Sequence, residues 1–531
     1  MAPKKLLAAC SVSIGITIFS LGLLLSPSDS LAQKKGGTLK IGYGMTAVKM
    51  DPHLASGSGD IYIDAQIFER LIYYRWDEKT KQAEPIPWLA TKWEVAPDKM
   101  SWTFYLRKGV EFTDGTPFDA EAVKFNLERL IGPPVGPFSN VYTPLIKNVE
   151  VVDKYTAKVN LKVPAVPVES FFVQSYIGMM SPASVKEWGD KVGAHPTGTG
   201  PYKLKEWLQG EKVVLEANRK YWGGRPNLDR IEYIFVPESS ARMNMLKAGQ
   251  VDLVFNLDIP DLETILPEKK FNVVEYPTTE LLSLTLNNLA KPTNDMAVRQ
   301  AIKLAIDNKG IVEKILKGHA AVAESPISPV IWGSYPSEPL VWDPEKAKKI
   351  LTDAGWIPGK DGVREKGGER LTLKVRYPTG RYAMCDEVVA VIQNQLNAVG
   401  LECIGEKMGF GAWITAALLP LEKTTGDAFI ISLPGKEDAH WVLSRMSPKS
   451  ATSFYQNPSV QKMIDEHFVE WDNAKRKELL KQIQIVATRE AYCINLYFSN
   501  YNTVFKKNVR GVEATKVPVS DSFNVLKVWI E

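Results

Sequence analysis

The residue types that most often carry chemistry are few in this chain, and their spacing suits neither catalysis nor metal binding. Its 531 residues include five histidines, and no two of these have the separation of a metal-binding pair. The histidines are His53, His195, His319, His440 and His467. The sequence contains no G-x-S-x-G, H-E-x-x-H or C-x-x-C motif, so nucleophilic, zinc and dithiol chemistry lack their usual residues. We therefore expect a protein that is not an enzyme and that needs no cofactor.

Two glycine-containing stretches resemble nucleotide-binding loops only superficially. Gly42–Ala47 fits G-x-G-x-x-A, but Pro52 follows too closely for the helix whose N-terminus would hold a pyrophosphate. Gly355–Asp361 is one residue short of a phosphate-binding loop and lacks the Ser or Thr that would meet Mg²⁺. We interpret both stretches as turns and expect no nucleotide site.

Composition and length predict a soluble protein built from more than one lobe. Hydrophobic residues make up 45% of the chain and charged residues 24%, and the formal net charge is +4. So small a net charge argues against nucleic acid or an anionic membrane as the partner. A chain of this length exceeds one ordinary hydrophobic core, so we expect two or three lobes.

The N-terminus has the pattern of an export signal. Lys4 and Lys5 precede a largely apolar run, Leu6–Leu25, and Ser30–Ala32 offers small residues where a signal peptidase cleaves. An uncleaved membrane anchor is the alternative, because about twenty apolar residues can span a bilayer. Serines within the run and the cleavage site favour removal, so residues 1–32 are predicted to be a signal peptide and the mature protein to be periplasmic.

Three cysteines remain in the mature chain, namely Cys385, Cys403 and Cys493. A helix from about Met384 to Val399, followed by a returning strand, would leave Cys385 and Cys403 farther apart than the ~7 Å Cα separation that a disulfide allows. We expect buried free thiols.

The elements that would position these residues alternate between strand and helix patterns. In Ser101–Leu130, an alternating strand is followed by glycine turns and by a helix that Asp119 can cap. Ile61–Tyr74 is predicted to be helical, and a hairpin is predicted around Gln209-Gly210. Helices and strands also alternate after Pro344, which predicts a sheet covered by helices.

The Ser101–Leu130 unit resembles the signature region of the family 5 extracytoplasmic solute-binding proteins. That family includes the dipeptide-, oligopeptide-, glutathione- and nickel-binding proteins of ABC importers. Leu106–Gly115 matches its L-R-x-G-V-x-F-x-D-G pattern, and Ala122–Phe125 matches the following helix. Asp51–His53 and Gly198–Tyr202 match the family's D-P-H and G-T-G-P-Y segments, so the resemblance covers nearly the whole chain.

This resemblance implies an α/β, two-lobed periplasmic-binding-protein fold of the large (cluster C) type, with a discontinuous lobe I and an extra subdomain. The expected division is a signal peptide at 1–32, lobe I at 33–70, 200–284 and 497–531, an additional subdomain at 71–199, and lobe II at 285–496.

The resemblance also implies the periplasmic substrate-binding component of an ABC importer. It would capture a peptide or a similar small, carboxylate-bearing solute between closing lobes and deliver it to the permease. That membrane permease and the solute are the expected partners of a monomer that binds no nucleic acid. A nickel or metal-chelate receptor is the alternative within the same fold, and a chaperone-like extracytoplasmic protein or a secreted hydrolase or redox enzyme is more remote.

In peptide-binding relatives, an A/G-D-x-x-D-P-x-x-F-L segment supplies an Asp that binds the peptide's α-ammonium group. Alignment without gaps on Leu443 places Gly435 at that Asp, so the ammonium ligand is missing. Asp438 matches the second acidic position of this segment, which shapes the loop more than it contacts the ligand. His440 stands where the nickel-binding relative has a histidine that contacts its metal chelate, although a structural histidine remains the alternative.

Arg381 matches a carboxylate-binding arginine of a dipeptide-binding relative if a two-residue gap is allowed, with a surface salt bridge as the alternative. Aromatic residues are expected to form a wall beside it. The ligand-binding candidates are Tyr43, Arg381, Trp413, Asp438, His440 and Trp441, and no metal ligand is predicted other than His440 for a bound chelate.

Overall fold

The structure is a computed structural model. It describes residues 35–54, 58–77, 79–80, 82–133, 136, 139–166, 168–336, 339, 341–417, 427–436, 438–447, 455–512 and 525–531. The predicted signal peptide lies outside these residues. Within the described ranges, no helix combines the length and the apolar character needed to cross a bilayer.

Twenty-two strands are formed by the described residues. They are β1 (Thr38–Tyr43), β2 (Ile72–Asp77), β3 (Gln82–Pro87), β4 (Ala90–Val95), β5 (Ser101–Leu106), β6 (Ile146–Asp153), β7 (Thr156–Leu161), β8 (Tyr202–Leu208), β9 (Lys212–Ala217), β10 (Arg230–Phe235), β11 (Leu253–Phe255), β12 (Phe271–Leu286), β13 (Ala320–Val322), β14 (Ile357–Pro358), β15 (Arg364–Lys366), β16 (Glu369–Arg370), β17 (Thr372–Pro378), β18 (Glu402–Met408), β19 (Ala428–Pro434), β20 (Cys493–Lys506), β21 (Val509–Arg510) and β22 (Trp529–Ile530).

Fifteen α-helices accompany them in the part of the chain that the structure covers. They are α1 (Ser58–Ile67), α2 (Ala120–Ile131), α3 (Ser139–Tyr142), α4 (Val168–Phe172), α5 (Pro182–Trp188), α6 (Ser239–Lys247), α7 (Ile259–Ile265), α8 (Met296–Ala305), α9 (Asn308–Gly310), α10 (Pro344–Asp353), α11 (Cys385–Ala398), α12 (Phe410–Ala417), α13 (His440–Leu443), α14 (Pro458–Val469) and α15 (Asn473–Glu490).

Two long antiparallel strands, β12 and β20, run through an eleven-stranded sheet and join its two halves. The main strand order is β18-β17-β19-β12-β20-β11-β1-β10-β9-β8. The first half-sheet contains β1 and β8–β11 with residues 271–277 and 500–506 of the long strands. The second half-sheet contains β17–β19 with residues 281–286 and 493–498. The register of β12 against β20 breaks between Pro277 and Leu281, which is the crossing point of the two halves.

A separate four-stranded sheet, in the order β4-β5-β7-β6, carries the Ser101–Leu130 unit. The predicted strand and helix are confirmed as β5 and α2. Asp119 caps α2 because its side chain accepts hydrogen bonds from the amides of Glu121 and Ala122. Trp102 and Phe104 of β5 are fully buried, together with Val123 of α2, so one apolar face of each element fills this core.

The prediction of a helix over Ile61–Tyr74 is right only for its first part. The helix α1 ends at Ile67, and β2 begins at Ile72 and pairs with β3 from Ile72 opposite Pro87 to Asp77 opposite Gln82. Pairing with a neighbouring strand, which local sequence cannot reveal, takes this segment out of the helix. The hairpin around Gln209-Gly210 is confirmed as β8 and β9.

The hydrophobic cores follow the layout of the sheets. One core lies under the first half-sheet, and a second is formed by residues between 71 and 179. Two further cores lie on either side of the second half-sheet. The domain boundaries given above remain a prediction that these cores support. The cysteine prediction is confirmed, since Cys385, Cys403 and Cys493 are free and buried.

Candidate ligand-binding cleft

The carboxyl ends of parallel strands from both half-sheets face one another across the crossing of β12 and β20. In the first half-sheet, β1 is parallel to β10 and β11, and β11 is antiparallel to β20. In the second, β17 is parallel to β18 and β19, and β19 is antiparallel to β12. Ligands of open α/β sheets bind in crevices at such carboxyl ends. The loops after these six strands therefore line the candidate cleft.

Arg242 fixes the loops on the first side of this cleft. Its guanidinium donates to the carbonyl oxygens of Val236 at 2.9 Å, Pro237 at 2.6 Å and Asn256 at 2.8 Å. A Cβ atom on Gly44 would lie only 2.9 Å from Arg242 Nη1, so the loop after β1 packs directly on this guanidinium. The ends of β1, β10 and β11 are thus held at one point, and this wall of the cleft is rigid.

Tyr43, predicted for the cleft wall, lies at the end of β1 but is 2% exposed. Its ring packs against Tyr62, Tyr233 and Phe255 at centroid distances of 5.6, 5.8 and 6.1 Å. Burial is the main cause that raises the pKa of its phenol well above the usual value. In this structure Tyr43 supports the wall from behind, and the exposed large apolar side chains of the loop after β1 are Met45 and Val48.

Arg381 and Trp413 are brought together on the second side, in the loops after β17 and β18. Trp413 is 3% exposed and packs between Phe410, at 5.8 Å, and Tyr382, at 6.2 Å. The exposed Arg381 guanidinium lies 5.8 Å from the centroids of both the Tyr382 and the Phe410 ring. Among the described residues, Arg381 has no carboxylate partner. Phe410, 46% exposed, was missed by sequence reasoning although it begins α12, two residues after the end of β18.

A carboxylate lies near the same tyrosine. Glu280, at the crossing point on β12, accepts a hydrogen bond from the Ser432 hydroxyl, and the Ser432 amide donates to the Tyr382 hydroxyl at 3.0 Å. Burial raises the pKa of Tyr382 to about 12, while the charge of Arg381 lowers it and that of Glu280 raises it. Both charges are therefore close to this phenol, and no ion pair joins them within the described chain.

Asp438 is occupied by protein partners. Its carboxylate accepts two hydrogen bonds from Arg476, at 2.6 and 2.8 Å, and one from the His440 amide at 2.8 Å. Both charged side chains are almost fully buried. This arrangement shapes the loop before α13 and leaves Asp438 little capacity for a direct ligand contact.

His440 lies beside a second histidine. Its Nδ1 is 3.4 Å from Nε2 of His467, and its ring stacks on Phe468 at 4.7 Å. Burial lowers the pKa of both imidazoles, that of His467 to about 3 with a further contribution from the charge of Arg476. The two rings are therefore neutral. No group of three potential metal ligands occurs among the residues that the structure describes.

Trp441 faces the segment 71–199. Its indole nitrogen donates to Ser170 Oγ at 3.2 Å, and its ring lies 5.0 Å from Phe171 of α4. Trp471 makes a similar contact, donating to the Pro164 carbonyl at 3.0 Å. These indoles therefore join α13 and the turn between α14 and α15 to that segment.

Gly435, which was predicted to stand at the ammonium-binding position of peptide-binding relatives, has no space for a side chain. A Cβ atom on Gly435 would lie 2.9 Å from the Thr279 carbonyl oxygen and would also collide with the Ile331 side chain. The Gly435 amide itself donates to that carbonyl at 3.0 Å. No side chain can be accommodated here without moving the backbone, so glycine is required at this position.

The D-P-H segment is structural. Asp51 accepts two hydrogen bonds from Arg129 of α2, at 2.7 and 3.0 Å. His53 Nδ1 accepts from the same guanidinium at 2.7 Å, so its Nε2–H donates to the Gly178 carbonyl at 3.1 Å. Burial, followed by the charge of Arg129, lowers the pKa of His53 to about 4. The segment therefore attaches the loop after β1 to the helix of the Ser101–Leu130 unit.

Comparison with known proteins places these features in a family. Residues 84–433, about two thirds of the chain, match the model of the bacterial extracellular solute-binding proteins, family 5 Middle. The probable D,D-dipeptide-binding periplasmic protein DdpA of Escherichia coli K12 is 26% identical over 530 residues, covering 94% of this chain and 96% of its own. The glutathione-binding protein GsiB of Pectobacterium atrosepticum is 27% identical over 454 residues, covering 84% and 85%.

Solved structures agree with this assignment. NikA from Brucella suis, in complex with Fe(III)-EDTA, superimposes with a TM-score of 0.85 at 25% identity, covering 93% of this chain and 100% of its own. DppA from Helicobacter pylori, in complex with the peptide STSA, gives a TM-score of 0.77 at 24% identity over 94% and 99%. The predicted α/β fold of the two-lobed binding proteins is thereby confirmed. The chain belongs to family 5 of the bacterial extracellular solute-binding proteins, the substrate-binding components of ABC importers.

Proposed function

We propose that the solute is a peptide or a similar small molecule with both a carboxylate and an ammonium group, held between Arg381 and Glu280. The observation that carries this proposal is the exposed Arg381 guanidinium, which has no carboxylate partner among the described residues and lies beside two aromatic rings. A guanidinium can form two parallel hydrogen bonds with a carboxylate. Glu280, close to the same Tyr382 ring, supplies the opposite charge.

The aromatic surface next to Arg381 supports this choice of solute. Phe410 is exposed and stacked on the buried Trp413, so it offers a fixed apolar face to a side chain or backbone of the guest. Glu280 stands in for the absent Asp at Gly435, where the backbone leaves no space for a side chain. The proposal therefore keeps peptide recognition while moving the ammonium site to the crossing strand.

The protein binds its guest without changing it chemically. It is exported through a signal peptide at 1–32, acts in the periplasm as a monomer, and passes the closed, loaded form to a membrane permease. Closure occurs around the crossing of β12 and β20, where the register break leaves Thr278–Glu280 outside the ladder between these two strands.

Calorimetry with dipeptides tests the proposal. A dipeptide should bind the wild-type protein, and Arg381→Ala should weaken that binding tenfold or more because the charge-assisted grip is lost. Blocking the dipeptide's carboxylate as an amide should have a similar effect. Arg225→Ala, which removes a surface ion pair with Asp229, is the matched control and should change nothing. Unchanged affinity of Arg381→Ala would remove this residue from the site.

A metal chelate is the second candidate guest, and the neutral pair His440–His467 is the observation that favours it. A neutral imidazole is the form that ligates a metal, and a small chelator would have to supply the remaining ligands. Native mass spectrometry of the purified protein, with metal analysis, separates the two candidates. A bound metal complex that His440→Ala loses would favour the chelate, and a bound peptide would favour the first proposal.

A further inference from the structure

His319 is fixed to the second half-sheet and lies beside the crossing of β12 and β20. It directly precedes β13, which pairs with β20 from Ala320 opposite Ser499 to Val322 opposite Tyr497. Apolar residues of the helical turn before it are buried in the core that the second half-sheet shares with α8 and α11. The imidazole is therefore carried by this half of the molecule.

The two acidic partners of His319 are carried by the other half. Glu263 lies on α7, which shares a core with Val254 of β11 and Val504 of β20. Glu275 lies on the part of β12 that precedes its register break. The contacts of the imidazole with these two carboxylates therefore span the break around which we propose closure.

Both ring nitrogens of His319 face a carboxylate. Nδ1 lies 2.9 Å from a Glu275 oxygen, and Nε2 lies 3.0 Å from a Glu263 oxygen. A neutral imidazole has a single N–H, so its other nitrogen would direct a lone pair at a carboxylate oxygen, whereas the protonated ring donates on both sides. The geometry therefore fits the protonated ring. Carboxylates on opposite nitrogens do not converge on one point, as the ligands of a metal would.

The charges around the ring favour the same protonation state. Within the described residues, the charges that act on it are those of the two carboxylates. Lys317 lies 3.8 Å from Glu263, and the Asn500 amide of β20 donates to Glu275 at 2.7 Å. The His319 side chain is only 12% exposed, so solvent screens its charge weakly.

The direction of the pH effect follows from these contacts. Burial alone would lower the pKa of His319, but the hydrogen bonds and charges of Glu263 and Glu275 together raise it. An arrangement of the two halves that separates the ring from the carboxylates loses the cause of this raised pKa. Protonation therefore favours the arrangement in which they touch, and this preference is lost as the pH rises through the raised pKa.

We infer that protonated His319 holds the two half-sheets in the arrangement described here, and that loss of its proton releases them. This inference rests on the closure proposed above and adds its regulation by pH. Movement about a hinge makes or breaks contacts that span it. A histidine that bridges two carboxylates across the hinge thus couples the arrangement of the halves to the proton concentration outside the protein.

Fluorescence energy transfer in the mature protein, without any solute, tests the inference. One dye is attached to Lys205→Cys on β8 of the first half-sheet and the other to Ala390→Cys on α11, which packs on β18 of the second; both positions are exposed. The cysteines of the mature chain are buried, and burial raises the pKa of each thiol, so the dyes react with the introduced residues.

We expect the population with the distance of the described arrangement to fall about threefold or more as the pH rises through the pKa that an NMR titration of His319 reports. His319→Gln should abolish this change. Glu263→Gln, which keeps the ring and removes one carboxylate, should move the transition to lower pH. His195→Gln, which replaces an exposed histidine stacked on Trp188, is the matched control and should keep the transition.

Three results would overturn the inference while leaving the proposed solute intact. They are a distance that does not change with pH in the wild-type protein, a change whose midpoint differs from the titration of His319, and a change that persists in His319→Gln. Failure of dipeptides to bind in calorimetry, with the pH response present, would instead overturn the proposed solute and leave this inference standing.

Discussion

Asp438 and Arg476 form a two-pronged ion pair inside the protein, with N–O distances of 2.6 and 2.8 Å and both side chains almost fully buried. The Arg476 guanidinium also lies 4.6 Å from the centre of the Trp332 ring. The pair joins the loop before α13 to α15, which is 38 residues away in sequence. The position of α13, which carries His440 and Trp441, therefore depends on this contact.

Removing one partner of this pair should be costly. Arg476→Met leaves Asp438 charged and buried, and we expect a loss of about 3–5 kcal/mol in the free energy of unfolding. Urea denaturation followed by tryptophan fluorescence measures it. Arg75→Met, which breaks an exposed pair with Glu84, should cost at most about 1 kcal/mol. Equal losses in the two variants would contradict the structural role of the buried pair.

Replacing Glu69 with the similarly shaped glutamine should also destabilise the protein. The buried carboxylate of Glu69 accepts four hydrogen bonds, at 2.7–2.8 Å, from Trp88, Thr199, Tyr221 and Trp222. Burial raises its pKa. In Glu69→Gln one acceptor becomes a donor, and we expect a loss of about 1–3 kcal/mol of stability, measured by the same denaturation.

The exposed change Glu187→Gln is the control for Glu69→Gln and should have almost no effect on stability. A variant Glu69→Gln as stable as Glu187→Gln would show that the four donors do not require an ionised acceptor.

Acid should destabilise the protein through His467. Burial lowers its folded pKa from 6.5 to about 3, so the unfolded chain binds more protons between these values. The stability that the neutral ring contributes is complete above pH 6.5 and falls on acidification towards pH 3, by about 1.4 kcal/mol per pH unit. His467→Asn should reduce this slope in denaturation measured at several pH values.

The exposed His195, which stacks on Trp188, supplies the control for His467. His195→Asn is measured at the same pH values, so that the effect of removing a buried ring is compared with that of removing an exposed one. If His467→Asn left the slope of stability against pH unchanged, the ring of His467 would have to be protonated in the folded state.

The pKa of His319 is shifted in the direction opposite to that of His467, so its contribution to stability should be lost at high pH and not at low pH. Its two ring nitrogens lie 2.9 Å from a Glu275 oxygen and 3.0 Å from a Glu263 oxygen. Burial alone would lower its pKa, but the hydrogen bonds and charges of the two carboxylates together raise it. Its stabilising contribution is therefore complete below the unfolded pKa and is lost as the pH rises through the folded pKa. Glu275→Gln should lower the pKa that an NMR titration of His319 reports, and an unchanged value would contradict the contact.

Restoring an acidic residue at position 435 should not restore the ammonium site of relatives. The Cβ atom of Gly435→Asp would collide with Ile331 and with the Thr279 carbonyl, and we expect about 1–3 kcal/mol of destabilisation from overpacking. Gly409→Asp, where a Cβ atom meets nothing within 4 Å, is the matched control. Thermal unfolding compares the two, and equal stability would show that the loop at Gly435 can move.

Local features could be predicted well because their causes lie within a few residues. The cap of α2 by Asp119 and the buried face of β5 follow from a side chain next to a helix start and from alternation along one strand. Free thiols at Cys385 and Cys403 followed from the length of one helix and one strand. By contrast, the segment after Ile67 was predicted as helix, because only its pairing with β3 makes it a strand.

The sequence by itself determined the family, the alternation of helix and strand, and the candidacy of Arg381, since each is written in neighbouring residues. Only the tertiary structure decided which of the candidate side chains already have partners within the protein. It pairs Asp438 with Arg476 and turns Tyr43 inward, because these outcomes depend on groups that folding brings together from distant parts of the chain. A polar group that is buried without a hydrogen-bond partner costs free energy. Which groups are buried, and with which partners, is known only once the chain is packed.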